Sequence, residues 1–115
     1  MVSVPRVQEA LENTEGFAER ILTKAELEQM SSRKQVAHFV AKRFAAKEAV
    51  VKALGNGIGN GLSWHHIEIY NEVSGAPKVT LSGPALDLMQ ALGATECLLS
   101  LSDEKDSAVA FVVLN

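Results

Sequence analysis

One cysteine, Cys97, stands in the 115 residues, so no intrachain disulfide and no cysteine-based metal cluster can form. A lone cysteine suits a reducing compartment, and Cys97 reads as a small hydrophobe packed in a strand. Aromatic residues are only 5% of the chain, and Trp64 has no ring after it until Tyr70, histidines aside. That excludes the rows of stacking rings that hold single-stranded nucleic acid. Positive charge is not in excess: the net charge of −3 argues against a nucleic-acid partner on bulk electrostatics. Apolar runs long enough to span a bilayer are lacking, and no secretory signal opens the sequence. The expectation is a cytoplasmic chain without membrane contact, forming a single domain over residues 1–115.

What is present points to α+β. Val2-Ser3-Val4 reads as a strand end or a cap, and Pro5 suits the first turn of a helix carrying Val4, Val7 and Leu11 at helical spacing. Gly16 is expected to end that helix. Thr23 and Glu26 spell a capping box, with Leu27 and Met30 facing inward. The longest helix is predicted over Arg33–Leu54, with Val36, Phe39, Val40, Phe44, Val51 and Leu54 as its apolar stripe. Gly55-Asn56-Gly57 stops it. Strands follow over His66–Tyr70 and Val79–Leu81, joined by the turn Ser74-Gly75-Ala76-Pro77. A helix between Pro84 and Gly93 precedes strands over Cys97–Ser102 and Ala108–Leu114. Helices first and strands afterwards imply a mostly antiparallel sheet packed against the long helix. The last strand shows little polar alternation, so both its faces are expected to be covered, subunit packing being one way.

Charge is segregated. Between Arg33 and Gly55 stand six basic residues (Arg33, Lys34, Lys42, Arg43, Lys47 and Lys52) and one acid, Glu48, a local +5 in a chain of net −3. Such a segment is either a solvated helix face or a landing site for an anionic partner or a polyphosphate. Arg43–Lys47 and Glu48–Lys52 are each spaced i, i+4, which on an ordinary helix is worth only ~0.2–0.5 kcal/mol per pair. The glycine-rich turn that follows can aim backbone N–H groups at phosphate. It lies at a helix C-terminus, where the dipole repels anions, so a phosphate there needs positive charge from Lys52, Lys47 or a metal. Magnesium takes one or two carboxylates, waters and substrate phosphates, and Glu48 supplies one such carboxylate. His65 and His66 are adjacent and on a strand would face opposite sides, which does not suit one metal. His38 lies beside the apolar stripe. Ser100 and Ser102 have no histidine near them in sequence to activate either as a nucleophile.

Three segments carry a resemblance. FAERILTKAEL (Phe17–Leu27), FVAKRFAAKEAVVKALGNGIGNGLSWHHIEI (Phe39–Ile69) and the Gly75-x-Pro77 turn together resemble bacterial holo-[acyl-carrier-protein] synthases of the 4′-phosphopantetheinyl transferase superfamily. The resemblance implies Mg2+-dependent transfer of 4′-phosphopantetheine from coenzyme A to a serine of apo-acyl carrier protein, with adenosine 3′,5′-bisphosphate released. It implies that Glu48 is a metal ligand, that Lys52 binds phosphate, and that Gly55, Asn56 and Gly57 contact the coenzyme. Arg6, Arg20, Phe44, Ile58 and Gly59 would form the carrier-protein surface, and the assembly would be a homotrimer with sites between subunits.

Departures from the family pattern are also visible. The family opens with a strand ending in Gly-x-Asp, whose aspartate is the second magnesium ligand, and Met1 falls on the residue after it. With that carboxylate absent, the 115-residue form is expected to be impaired. Leu98 stands where the family commonly has histidine. The first helix carries Glu9, Glu12 and Glu15 near Asn13, Thr14 and Gly16, where members have arginines. These differences motivate the alternative of a non-catalytic module that binds acyl carrier protein or coenzyme A.

Overall fold

One long helix organises the chain, which is described from Met1 to Asn115 in a computed structural model. The elements are β1 (Val2–Ser3), α1 (Val4–Asn13), α2 (Phe17–Ile21), α3 (Lys24–Met30), α4 (Val36–Leu54), β2 (Ile67–Asn71), β3 (Pro77–Leu81), α5 (Gly83–Ala91), β4 (Cys97–Asp103) and β5 (Ser107–Leu114). A single 3-10 turn, Trp64–His66, precedes β2.

The local signals act where the sequence places them. Ser3 ends β1 and also caps α1, its hydroxyl accepting from the N–H of Arg6, with Pro5 in the first turn. The capping box forms: the Thr23 hydroxyl accepts from Glu26 N–H, and the Glu26 carboxylate accepts from Thr23 N–H. Gly55 terminates α4 at φ 75°, a left-handed conformation that a side chain would strain.

Some boundaries differ from the sequence reading. Gly16 does not end the first helix. Thr14 caps it, and Gly16, at φ 76°, turns the chain into the separate α2. The long helix starts at Val36 rather than Arg33, because the backbone of Ser32 and Arg33 is still closing the turn after α3. His66 belongs to the 3-10 turn instead of a strand.

The strands are antiparallel throughout but form two sheets, ordered β1-β5-β4 and β2-β3. Both sheets pack on α4, whose small inner residues Ala41, Ala45 and Ala46 are buried and allow close approach. Two hydrophobic clusters result. One joins α1, α2 and the first half of α4 through Val7, Leu22, Phe39 and Val40. The other joins the second half of α4 to β2, β3 and α5 through Val50, Leu54, Ile67, Ile69 and Met89. Fully burying an isoleucine such as Ile67 or Ile69 contributes ~1.5–3 kcal/mol.

Within the chain, the last strand is covered on one face only. Its inner residues Ala108, Ala110, Val112 and Leu114 meet the core clusters. Its outer residues do not: Phe111 is 74% exposed, Val113 58%, and Leu98 on the paired strand 46%. Register places Leu98 opposite Val113 and Ser100 opposite Phe111, so these apolar side chains share one open face of the chain.

Candidate functional site

Glu48 projects from α4 into a groove of about 440 Å³ that it shares with Met1, Ser3, Arg6, Phe17 and Phe44. β1 and α1 form the opposite wall. The chain's two ion pairs are Lys47–Glu26 and Lys78–Glu72, so the helical pair Glu48–Lys52 is not formed. A half-buried carboxylate with no cation of its own is available to an added one. No three His, Cys, Asp or Glu side chains gather anywhere to cage a metal. An ion here would rest on one carboxylate, waters and a ligand's phosphates, which is the pattern magnesium accepts. The donor set therefore fits magnesium and does not fit zinc, which takes three or four protein ligands.

Lys52 lies one turn further along α4 and is exposed. Beyond it, Gly55 to Gly61 form an exposed loop in which Gly59 and Leu62 exchange backbone hydrogen bonds of 2.9 and 3.0 Å. Asn56 donates its side-chain amide to the carbonyl of Gly57. The N–H groups of Gly57 and Ile58 donate to no backbone carbonyl and remain free for an anion.

Of the residues expected at a carrier-protein surface, Arg6 and Phe44 line the Glu48 groove. Arg20, Ile58 and Gly59 are exposed outside it.

The structure corrects the reading of Arg43 and Lys47, which the sequence placed in a cationic face open to anionic partners. Both are buried. The Lys47 ammonium donates to the Glu26 carboxylate at 2.6 Å, to the Ile21 carbonyl at 2.7 Å and to the Trp64 carbonyl at 3.3 Å. The other Glu26 oxygen accepts from Ile69 N–H at 2.8 Å. Burial pushes the Lys47 ammonium below its ordinary value, and the Glu26 carboxylate pulls it back. Arg43 donates to the side-chain oxygens of Gln29 and Asn71, each at 3.0 Å, and stacks on Phe39. Its pKa is lowered by burial, against the opposing pull of Glu26. Its Nε is buried without a partner. Arg43 also borders a second groove of about 400 Å³, with Arg33, Lys42, Asn71 and Pro77 around it and Asp103 as its one acid.

Sequence reasoning missed this polar interior. One signal was available: Lys47 falls between Phe44 and Val51 within the apolar stripe of α4, a buried phase of the helix. Its partner lies 21 residues earlier, outside the reach of any local pattern.

The histidines serve the backbone. His66 Nδ1 accepts from Ser63 N–H, and His65 and His38 donate through Nε2 to the carbonyls of Glu19 and Lys105. Cys97 opens β4 half-buried, and burial raises its pKa.

A long helix with an unpaired acid, a nearby lysine and a glycine loop after it, packed on antiparallel sheet, belongs to a fold that known proteins share. The chain belongs to the 4′-phosphopantetheinyl transferase superfamily, whose sequence profile matches residues 1–112. It is 46% identical over 114 residues to the holo-[acyl-carrier-protein] synthase of Alteromonas mediterranea, covering 99% of this chain and 90% of that one. Against the synthase of Shewanella amazonensis the identity is 48% over 115 residues, covering 99% and 92%. Among solved structures, the Neisseria meningitidis holo-[acyl-carrier-protein] synthase superposes with a TM-score of 0.87 at 39% identity, covering 99% of this chain and 92% of that one. The Helicobacter pylori synthase in complex with coenzyme A does so with a TM-score of 0.83 at 31% identity, covering 99% and 95%.

Proposed function

We infer that this protein transfers 4′-phosphopantetheine from coenzyme A to a serine of apo-acyl carrier protein. The observation that carries the site assignment is Glu48: an acid on the long helix, without an ion-pair partner, opening into a groove beside Arg6 and Phe44.

The reaction is a phosphoryl-type displacement. The carrier-protein serine oxygen attacks the β-phosphorus of coenzyme A, forming a new P–O bond. The pyrophosphate P–O bond breaks, and its electron pair leaves on adenosine 3′,5′-bisphosphate. The serine proton passes to water. Glu48 would hold Mg2+, which when bound neutralises and orients the pyrophosphate. Lys52 supplies a charge-assisted contact to phosphate, and the free N–H groups of Gly57 and Ile58 add neutral ones. Gly55 and Asn56 shape that turn. Arg6 and Phe44 at the groove, with Arg20, Ile58 and Gly59 around it, would receive the acidic carrier protein. The groove bordered by Arg33, Lys42 and Arg43 is suited to a further phosphate of the coenzyme.

The open apolar face of Leu98, Phe111 and Val113 supports a homotrimer, since it is a ready surface for another copy of the chain. Phe111→Ser should shift the sedimenting species towards monomer. No helix is long and apolar enough to cross a membrane, and a cytoplasmic setting suits a coenzyme A-dependent reaction.

Incubation with apo-carrier protein, coenzyme A and Mg2+ tests the reading, with mass spectrometry of the carrier protein as readout. A mass gain of one phosphopantetheine is expected, lost in Glu48→Gln. Binding without any mass gain would favour the non-catalytic module. Met1 borders the Glu48 groove, so a carboxylate on a residue joined ahead of Met1 would start at its rim. A form extended there with a Gly-x-Asp strand should turn over faster than residues 1–115.

A further inference from the structure

The neighbouring residue Lys47 is buried, charged and unused by the chemistry above. Its ammonium is held by acceptors on three separate segments: Ile21 at the end of α2, Glu26 on α3 and Trp64 in the 3-10 turn. The Glu26 carboxylate is itself saturated from several sides, by Thr23 N–H and Lys47 on one oxygen and Ile69 N–H on the other. A glutamine could not replace it, because its amide nitrogen would face a donor. Thr23 is pinned in turn by its hydroxyl, which donates to Glu68 at 2.6 Å.

This network sits where α4 passes from one hydrophobic cluster to the other, between Ala45 and Ala46. Apolar contacts are non-directional, and the inner face of the helix is largely alanine there. Hydrogen bonds to three fixed acceptors are directional. Successive helical residues are about 100° apart, so fixing Lys47 inward fixes the direction of Glu48. The network reaches the groove a second time. Trp64, whose carbonyl accepts from Lys47, packs edge-on against Phe44 with ring centroids 5.2 Å apart, and Phe44 lines the groove with Glu48.

We propose that the buried Lys47–Glu26 pair is a positioning device: it sets the rotation of α4 so that the Glu48 carboxylate and the Phe44 ring face the groove. This rests on Glu48 being the metal ligand. The pair touches neither substrate nor metal.

The test uses the full chain. Glu26→Met/Lys47→Met replaces the pair by apolar side chains of similar volume and removes both charges together, so no uncompensated ion stays buried. Thr23→Val removes the hydroxyl that accepts from Glu26 N–H and donates to Glu68, keeps the Lys47–Glu26 pair, and guards against failure of the double variant to fold. Melting curves identify the folded variants. Two quantities are then read: the Mg2+ concentration that half-saturates transfer, and Mn2+ binding by electron paramagnetic resonance with coenzyme A present and no carrier protein. Groups behind a metal ligand typically tune metal affinity by ~10–100-fold. A rise of about tenfold or more is expected in both quantities for the double variant, and a smaller rise for Thr23→Val, with little change in KM for coenzyme A. Folded variants with unaltered metal dependence would overturn the proposal and leave the function standing. If Glu48→Gln itself leaves Mn2+ binding unchanged, the metal assignment fails and the proposal falls with it.

Discussion

Two charged pairs on α4 share the same i, i+4 spacing and opposite fates. Arg43 and Lys47 point inward and are buried among side-chain and backbone acceptors. Glu48 and Lys52 point outward, and no ion pair joins them. A rotation of about 100° separates Lys47 from Glu48. That rotation makes one charge part of the framework and leaves the next open to the groove, where we propose it holds the metal. A local charge of +5 therefore overstates what an anionic partner meets, because two of the six cations are inside the molecule.

The largest effect should come from breaking the inward pair. Lys47→Met leaves the Glu26 carboxylate buried without its cation, which typically costs ~3–5 kcal/mol. Against a whole-domain stability of ~5–15 kcal/mol, the melting temperature should fall by ten degrees or more, roughly, in a calorimetric scan. Glu48→Gln should do the reverse. Its melt should stay within about 0.5 kcal/mol of the parent. Transfer to apo-carrier protein should fall beyond the ~10–100-fold typical of groups that only support a ligand. If Glu48→Gln melted as low as Lys47→Met, the division between framework and site would be wrong.

Lys52→Gln probes the outward pair more gently. The lysine is exposed, so its loss should leave the melt unchanged and lower kcat/KM for coenzyme A by about tenfold, or ~1.4 kcal/mol. A normal kcat/KM would remove Lys52 from the phosphate contacts. Cys97 gives the smallest effect. Burial raises its pKa, so less thiolate is present at neutral pH and alkylation by iodoacetamide should be slower than for a free thiol. The rate should climb only at higher pH, and fast labelling at pH 7 would contradict the half-buried placement.

Local signals carried most of the architecture. Pro5, the Thr23–Glu26 box, Gly55 and the alternation of Ile67 and Ile69 each announce their element, because caps, turns and strand faces depend on residues a few positions apart. The grouping of Glu48, Lys52 and the glycine loop, which we propose as the site, could be read for the same reason: they lie within one helix and the turn after it. Glu26 shows where legibility stops. It reads correctly as a capping residue, yet the same carboxylate also neutralises Lys47 and bonds Ile69 N–H, two partners brought to it by folding. The outer face of β5 is a further example. Its apolar pattern suggested cover on both sides, subunit packing being one way; the chain itself covers the inner face and leaves Phe111 and Val113 exposed.

The order of residues alone determined the α+β class, the long helix and the grouping of an acid, a lysine and a glycine turn, since each depends on near neighbours and on helical or strand period. Tertiary structure decided which charges are solvent-facing, which are interior, and that the wall facing Glu48 comes from β1 and α1. Those outcomes depend on contacts between segments far apart along the chain, where burial and the need to pair every buried charge outweigh local preference.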